Sequence, residues 1–459
     1  MISPRVAYFF PAERHVALSN LAPHYFFSAF RANHHLDLLF DGEDFSLFDR
    51  RRPREYAVIF IGLSYEPTYL TLVKYLRKHG IPVLRRERPL SQFPLLIAGG
   101  MAPSLHPKPL LEICDVVLCG EAEAMYHDLT MALDDLTTAV AYLSGLPYAA
   151  SAHRKHLVVR AHPGSFAVCT HPDLVGFGNE FSGHSIFELN RGCPGTCRFC
   201  AARHLYGAER EADYHRIVRA VEESFARGEN VAFLGTGVEA VSYFEDLLER
   251  AVVAGRSVSL SSVRIDGLTA ERAARLATAG IKTITIAPES LIFQTRRHIG
   301  KPISDEQICT AFELAKKHRF KVKLYLMAGL PGSDSESEAE AIVSFFAFLT
   351  QQRLTVPVSL SVTPFCPKPG TPFHSHSLMA KREYEQFRST VMRGVRKVMP
   401  RMPVEWFSWR EALLQTAFCR MGAAEGGAFL SAYAESGNIR AAEERSGVTL
   451  SSFTGVHLG

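Results

Sequence analysis

The stretch Ser185-Ile-Phe-Glu-Leu-Asn-Arg-Gly-Cys-Pro-Gly-Thr-Cys-Arg-Phe-Cys-Ala-Ala-Arg203 decides how this chain is read. It starts as a short apolar strand and runs out into a turn carrying three cysteines. Cys193, Cys197 and Cys200 are spaced C-x3-C-x2-C, and Gly192, Pro194 and Gly195 supply the tight bends that a loop of ligands needs. Thiolate is the soft ligand on which iron–sulfur clusters are built. Three thiolates from one loop can hold three irons of a cubane and leave the fourth iron open. A structural zinc site is the rival, but it wants four closed ligands, usually as paired C-x2-C knuckles. His204 is the one nearby nominee for a fourth ligand. The spacing, the place after a strand and the open fourth position favour a cluster.

Working outward, 459 residues suffice for two or three domains, each with its own core. A hydrophobic content of 47% and a charged content of 21% are ordinary for a soluble globular chain. The net charge of +4 is too small to argue for nucleic acid, without excluding it. The basic runs Arg50-Arg51-Arg52-Pro53-Arg54 and Arg85-Arg86-Glu87-Arg88 read as solvated loops rather than phosphate-binding patches. No stretch approaches the roughly 20 unbroken apolar residues of a membrane span. Met1–Arg5 lacks the charged and apolar regions of a secretion signal. Nine cysteines, an odd number with three in one loop, suit a reducing compartment, so a cytoplasmic protein is expected.

Before the cysteine loop, short apolar runs alternate with helical stretches. Residues 5–10, 36–40, 56–63, 81–84, 94–98 and 115–119 read as strands, and 69–79 as a helix stopped by Gly80. This alternation indicates a doubly wound parallel sheet of the flavodoxin type over residues 1–135. Ligands of such sheets lie beyond the strand C-termini, here Ser64, Gly99-Gly100 and Gly120-Glu121. Gly99-Gly100 is either a tight turn needing positive φ or a place where backbone approaches a flat ligand. Residues 136–180, with Val158-Val159 and Phe166-Ala-Val168, read as a connecting segment that could hold a hairpin.

After the loop a second βα series covers 181–375. Its strands are expected at 187–189, 230–234, 257–262, 283–287, 321–327 and 356–362, with helices at 214–226, 242–254, 269–279, 304–318 and 335–350. Six repeats without an obvious seventh predict a partial (β/α)6 barrel, with its site at the strand C-termini. Residues 376–459 form a small, mainly helical C-terminal region, with helices at 379–399, 411–418 and 427–447. The aromatic run Val404-Glu-Trp-Phe-Ser-Trp409 is expected to pack against the barrel. Cys309, Cys114, Cys119 and Cys169 read as packing residues, while Cys366, near the expected opening, could carry a thiol role.

On these motifs the chain resembles a radical S-adenosylmethionine (SAM) enzyme, by motif over residues 181–375 and more loosely before them. The resemblance implies that Cys193, Cys197 and Cys200 bind a [4Fe–4S] cluster whose open iron chelates the amino and carboxylate groups of SAM. An electron then cleaves the sulfonium to a 5′-deoxyadenosyl radical. Phe199 matches a position near adenine, with simple packing as the alternative. Gly235-Thr236-Gly237 with Glu239 matches the glycine loop for the methionine amino group. Arg264 is a candidate for the methionine carboxylate, Glu289 for the ribose hydroxyls, and each could equally be a structural polar group. The turn Met327-Ala-Gly329-Leu-Pro-Gly332 resembles the adenine-binding turn.

The loop Thr363–Pro372 resembles that of members carrying an N-terminal cobalamin-type domain, which places Ser64, Gly99 and Gly100 beside a corrinoid. The chain has no D-x-H-x-x-G, the motif that supplies an axial His in many cobalamin proteins. A sheet without cobalamin therefore stays open as the alternative. The resemblance implies a cobalamin-dependent methyltransferase acting on an unactivated carbon. The alternatives are a cobalamin-independent mutase, cyclase, or RNA- or peptide-modifying enzyme, and a non-catalytic metal-binding protein. Expected partners are a small-molecule or peptide substrate and an electron donor such as flavodoxin or ferredoxin.

Overall fold

The computed structural model describes residues 4–150, 160–181 and 183–455. These fall into two compact units, one within Met1–Gly183 and Leu414–Thr454, the other within His184–Leu413.

The first unit is built on five parallel strands: β1 (Val6–Phe10), β2 (Asp37–Phe40), β3 (Val58–Gly62), β4 (Leu95–Gly99) and β5 (Val116–Val117). Their order, β2-β1-β3-β4-β5, is that of the flavodoxin-like doubly wound sheet. The first four strands are buried almost throughout, as strands covered on both faces must be. The helix Thr68–Lys78 ends at Gly80 (φ +67), the expected stop.

Two expectations are corrected here, and a third falls partly outside the described residues. Ile81–Leu84 is not a strand: β3 pairs directly with β4, leaving no edge between them, and Pro82 has no N–H to offer a ladder. The hairpin expected within 136–180 draws on Val158-Val159, which lies outside the described residues. The described part of this segment contains the helix Ala139–Gly145, a turn of helix at Pro172–Val175 and isolated bridges from Ala149 to Leu118 and from Ala161 to Gly120. Arg88 is not solvated. It is 3% exposed, pairs with Asp115 at 3.1 Å and donates to the Ile113 carbonyl at 2.7 Å, closing the start of β5.

The connection from β4 to β5 is too short for a full covering helix. It holds Met101–Leu105 and the single turn Lys108–Leu110. The helix Ala423–Ser436 packs against that turn and against Thr68–Lys78. It comes close because Gly426 and Gly427 carry no side chain: a Cβ at Gly426 would lie 2.4 Å from Pro109 Cα. Residues 376–459 are therefore not one region, since Leu414–Thr454 completes the sheet unit.

The second unit is the partial barrel. Its strands are β6 (Ser185–Glu188), β9 (Val231–Leu234), β10 (Val258–Leu260), β11 (Thr283–Glu289), β12 (Lys321–Ala328), β13 (Val358–Pro364) and β14 (Val404–Trp406). A small antiparallel ribbon of β7 (Asn190–Arg191) and β8 (Arg210–Glu211) follows β6. The parallel strands form two blocks, β10-β9-β6 and β11-β12-β13-β14. Six were anticipated; the aromatic run supplies a short seventh, because Leu360–Val362 offers it an open edge in register with Val404–Trp406. Among the described residues no helix is long and apolar enough to cross a membrane.

Candidate functional site

The cysteine loop is anchored at both ends. At its entry Gly192 takes φ +78, and a Cβ there would lie 2.3 Å from the Ala208 carbonyl oxygen, so glycine lets the β7–β8 ribbon close. Beyond it, the Arg198 N–H donates to the Ile299 carbonyl at 2.9 Å and Thr196 Oγ1 to the Gly300 carbonyl at 3.3 Å. Gly300 has φ +76, and a Cβ would stand 2.5 Å from the Thr196 oxygen. The turn 299–301 is thus the dock of the cysteine loop. A glycine after a helix is such an ordinary stop that nothing in the sequence marks it.

The three thiols are unbridged and partly buried. The Gly195 N–H donates to Cys193 Sγ at 3.3 Å, and Arg264 Nη1 lies 3.9 Å from the same sulfur. Burial pushes the Cys197 thiol up to about 11, against the pull of the Lys301 charge. A thiolate there needs a further positive partner, which a bound metal cluster provides. Among the described residues no three His, Cys, Asp or Glu side chains stand close enough to share one metal ion. Three cysteines in one loop are one ligand short of a closed zinc site and match the three thiolates of a cubane with one open iron. The donors fit a cluster.

Arg264, Gly237 and Glu239 meet beside the loop. Glu239 is buried, its Oε1 accepts the Arg264 N–H at 2.9 Å, and its Oε2 is buried without a hydrogen-bond partner. Burial raises its pKa. The side-chain fork of Arg264 is already engaged by Asp266, at 3.0 and 2.5 Å. The expected fork onto a carboxylate ligand is thus filled within the chain, leaving Nη1 turned toward Cys193. Gly237 (φ +74) and Gly235 also have internal reasons. Added Cβ atoms would lie 2.5 Å from Arg264 Cδ and 2.0 Å from Asn190 Oδ1. Asn190 clamps the loop: its Oδ1 accepts the Thr236 N–H at 2.7 Å and its Nδ2 donates to the Thr236 carbonyl at 3.2 Å.

Glu289, at the C-terminal end of β11 beyond a bulge, accepts from Lys301 Nζ at 2.8 Å. Its φ of +70 is strained for a non-glycine residue. Behind it Ser290 Oγ donates to the buried Glu338 carboxylate. The fully buried Arg296 donates to the Ser290 and Ile303 carbonyls and pairs with Asp305. Phe199 packs with Met327 on the cluster of Ile299, Leu330, Phe365 and Phe373, so its packing role is met. Gly329 takes φ +74, and a Cβ there would meet Met379 Cβ at 2.8 Å. The Cys366 thiol donates to the Pro364 and Ala412 carbonyls, a structural role.

In the sheet unit, Gly100 takes φ +117, and a Cβ would lie 2.5 Å from the Leu63 carbonyl oxygen, which accounts for glycine there. Gly99 has no such reason: a Cβ would make one ordinary contact, 3.5 Å from the Leu118 oxygen. Ser64 is exposed at the end of the β3 run.

Comparison with known proteins agrees with this geometry. Residues 187–345 match the radical SAM superfamily model, and residues 40–144 match the model for the N-terminal part of radical SAM proteins. The chain belongs to the radical SAM superfamily. It is therefore a radical SAM enzyme, whose cofactors are a [4Fe–4S] cluster and SAM, the latter cleaved reductively at the cluster. An uncharacterized protein of Methanocaldococcus jannaschii is 27% identical to this radical SAM enzyme over 391 residues, 83% of this chain and 80% of that one. The bacteriochlorophyllide d C-12(1)-methyltransferase of Chlorobaculum tepidum is 24% identical over 297 residues, 62% of this chain and 60% of that one. Among solved structures, the radical SAM methyltransferase TsrM of Kitasatospora setae superposes with a TM-score of 0.56 at 14% identity, covering 81% of this chain and 75% of that one. The cobalamin-dependent SAM radical enzyme OxsB gives 0.55 at 15% identity, covering 75% of this chain and 52% of that one. At such identities these two likenesses establish the fold.

Proposed function

We propose that Cys193, Cys197 and Cys200 hold the [4Fe–4S] cluster, and that the enzyme is a cobalamin-dependent methyltransferase acting on an unactivated carbon. The docked cysteine loop, with the Gly195 N–H and Arg264 turned toward Cys193 Sγ, carries the first part. When bound, the cluster supplies the electron that cleaves SAM, and a corrinoid supplies a methyl carrier. Gly235, Thr236 and Gly237 present backbone to the methionine end of SAM. Glu239 keeps that loop and Arg264 in place, Glu289 faces the ribose side with Lys301, and Phe199 and Gly329 flank the adenine.

The cobalamin part is supported by the strand order of the sheet unit and by Gly99, whose missing side chain nothing inside the chain requires. It is also in keeping with relatives described as methyltransferases, one of them solved with cobalamin and a [4Fe–4S] cluster bound. Ser64, Gly99 and Gly100 would line the corrinoid. A second reading, radical chemistry without cobalamin, rests on the absent D-x-H-x-x-G and on Gly100, which Leu63 fully explains. Under either reading the reaction draws on an external one-electron donor such as flavodoxin or ferredoxin, in a reducing cytoplasm.

Anaerobic reconstitution is expected to give one [4Fe–4S] cluster per chain and reductive formation of 5′-deoxyadenosine, both abolished in Cys197→Ala. Persistence of either signal in that variant refutes the cluster assignment. Corrinoid absorbance retained after incubation with hydroxocobalamin and gel filtration supports the methyltransferase; its absence favours the second reading.

A further inference from the structure

The inner wall of the barrel has an unusual composition. On β11, β12 and β13 fully buried residues largely alternate with partly exposed ones. The buried set, including Ile284, Val322 and Leu324, lies beneath the covering helices, so the other set faces the barrel interior. In a closed barrel that interior is packed with branched apolar side chains. Here the strand register stacks it in polar layers: Thr283 beside Lys321, then Thr285, Lys323 and Ser359, then Tyr325, Ser361 and Glu405, and finally Met327 and Thr363 next to the packing of Phe199.

At the strand N-termini this wall opens into a cavity of about 750 Å³. Its apolar lining includes Val356, Met399 and Met402, and its cations are Lys321, Lys323 and Arg401. Among the described residues none of these three side chains has a hydrogen-bond or ion-pair partner. Three unpaired cations over an apolar bowl match an apolar body with an anionic head. The ruler along β12 is fixed: Lys323 and Met327 are four residues apart, about 13 Å at strand rise, and Lys321 adds a further 7 Å or so.

We propose that this end of the barrel binds the anionic head, a carboxylate or phosphate, of an elongated and otherwise apolar substrate. Its reacting carbon then lies about 13–20 Å from that head, at the cysteine-loop end. The identification of the ligand as substrate rests on the radical SAM reading above; the anion site itself does not.

The test is equilibrium dialysis of the full chain with dodecanoate, dodecyl phosphate and dodecan-1-ol. Saturable binding of an anion is expected, with the alcohol at least about tenfold weaker, and the preferred anion identifies the head. The Lys321→Gln/Lys323→Gln double variant should weaken anion binding about tenfold or more. Lys317→Gln, on the outer helix Asp305–His318, should not. Iron content and substrate-free SAM cleavage should be unchanged in the double variant. Equal binding of alcohol and anion, no saturable binding, or an unaffected double variant overturns the inference. Failure of wild-type SAM cleavage with anion binding intact would instead refute the substrate role and leave the anion site standing.

Discussion

Gly300→Ala tests whether the turn after the helix Phe293–His298 positions the cysteine loop. Alanine at φ +76 carries a left-handed cost of about 1–2 kcal/mol. Its Cβ would also stand 2.5 Å from the Thr196 carbonyl oxygen, and relieving such overpacking costs a further 1–3 kcal/mol or so. Thr196 precedes Cys197, so relief moves a thiol. Gly255→Ala is the matched control: its φ of +64 imposes a similar left-handed cost, but a Cβ there would meet nothing within 4 Å. At roughly 2–4 °C per kcal/mol, the control should melt about 2–8 °C lower and Gly300→Ala about 4–20 °C lower. Melting by circular dichroism and iron per chain after anaerobic reconstitution are the assays. Iron should fall to less than about half in Gly300→Ala and stay unchanged in the control. Equal melting and equal iron in the two variants would refute the docking argument.

Other sites give independent tests. Gly426→Ala would gain about 1 kcal/mol of helix propensity at an open position, but the 2.4 Å approach to Pro109 should reverse the sign, read as a lower urea midpoint. Arg88→Met leaves the buried Asp115 carboxylate without its ion-pair partner and should cost about 3–5 kcal/mol in chemical denaturation. Adding Asp115→Asn should recover part of that, because the amide oxygen can still accept the Leu96 N–H. Burial lowers the His24 pKa from 6.5 to about 4. Its Nδ1 accepts the His171 N–H, and its Nε2 lies 3.0 Å from the Leu18 carbonyl, so the native ring is neutral. Below 6.5 the unfolded chain takes up a proton that the folded one refuses. Stability should therefore fall as pH drops from about 6.5 toward 4, by roughly 3 kcal/mol in all. That slope should flatten in His24→Gln, and an unchanged slope would refute the assignment.

Much of the fold is legible in the sequence because its strands and helices carry local signals. Apolar runs ended by glycine mark β3, β4, β9 and β12, and helical spacing marks Tyr214–Ala226 and Ser335–Gln351 within a residue or two. Ile81–Leu84 misleads because four apolar residues look alike in a strand and in a buried coil; the occupied edges of β3 and β4 decide between them. Arg88 misleads because its partner Asp115 is distant in sequence. At the site the cysteines announce themselves by spacing, whereas Asn190, Lys301 and the turn 299–301 act through contacts with residues 12 to more than 100 positions away.

The sequence alone therefore determined the chemistry class of this protein. Three cysteines within eight residues form a local ligand set whatever the rest of the chain does. The order of apolar runs determined a parallel sheet ahead of a barrel. Tertiary structure decided how rim residues divide their work, because each polar group meets its partner only when the strands align. It turned the Arg264 fork onto Asp266 and explained Gly235 by the Asn190 side chain and Gly100 by the Leu63 backbone, while leaving Gly99 without such a reason. It also returned the helix Ala423–Ser436 to the sheet, since a helix needs an apolar surface to cover and the short β4–β5 connection left one uncovered.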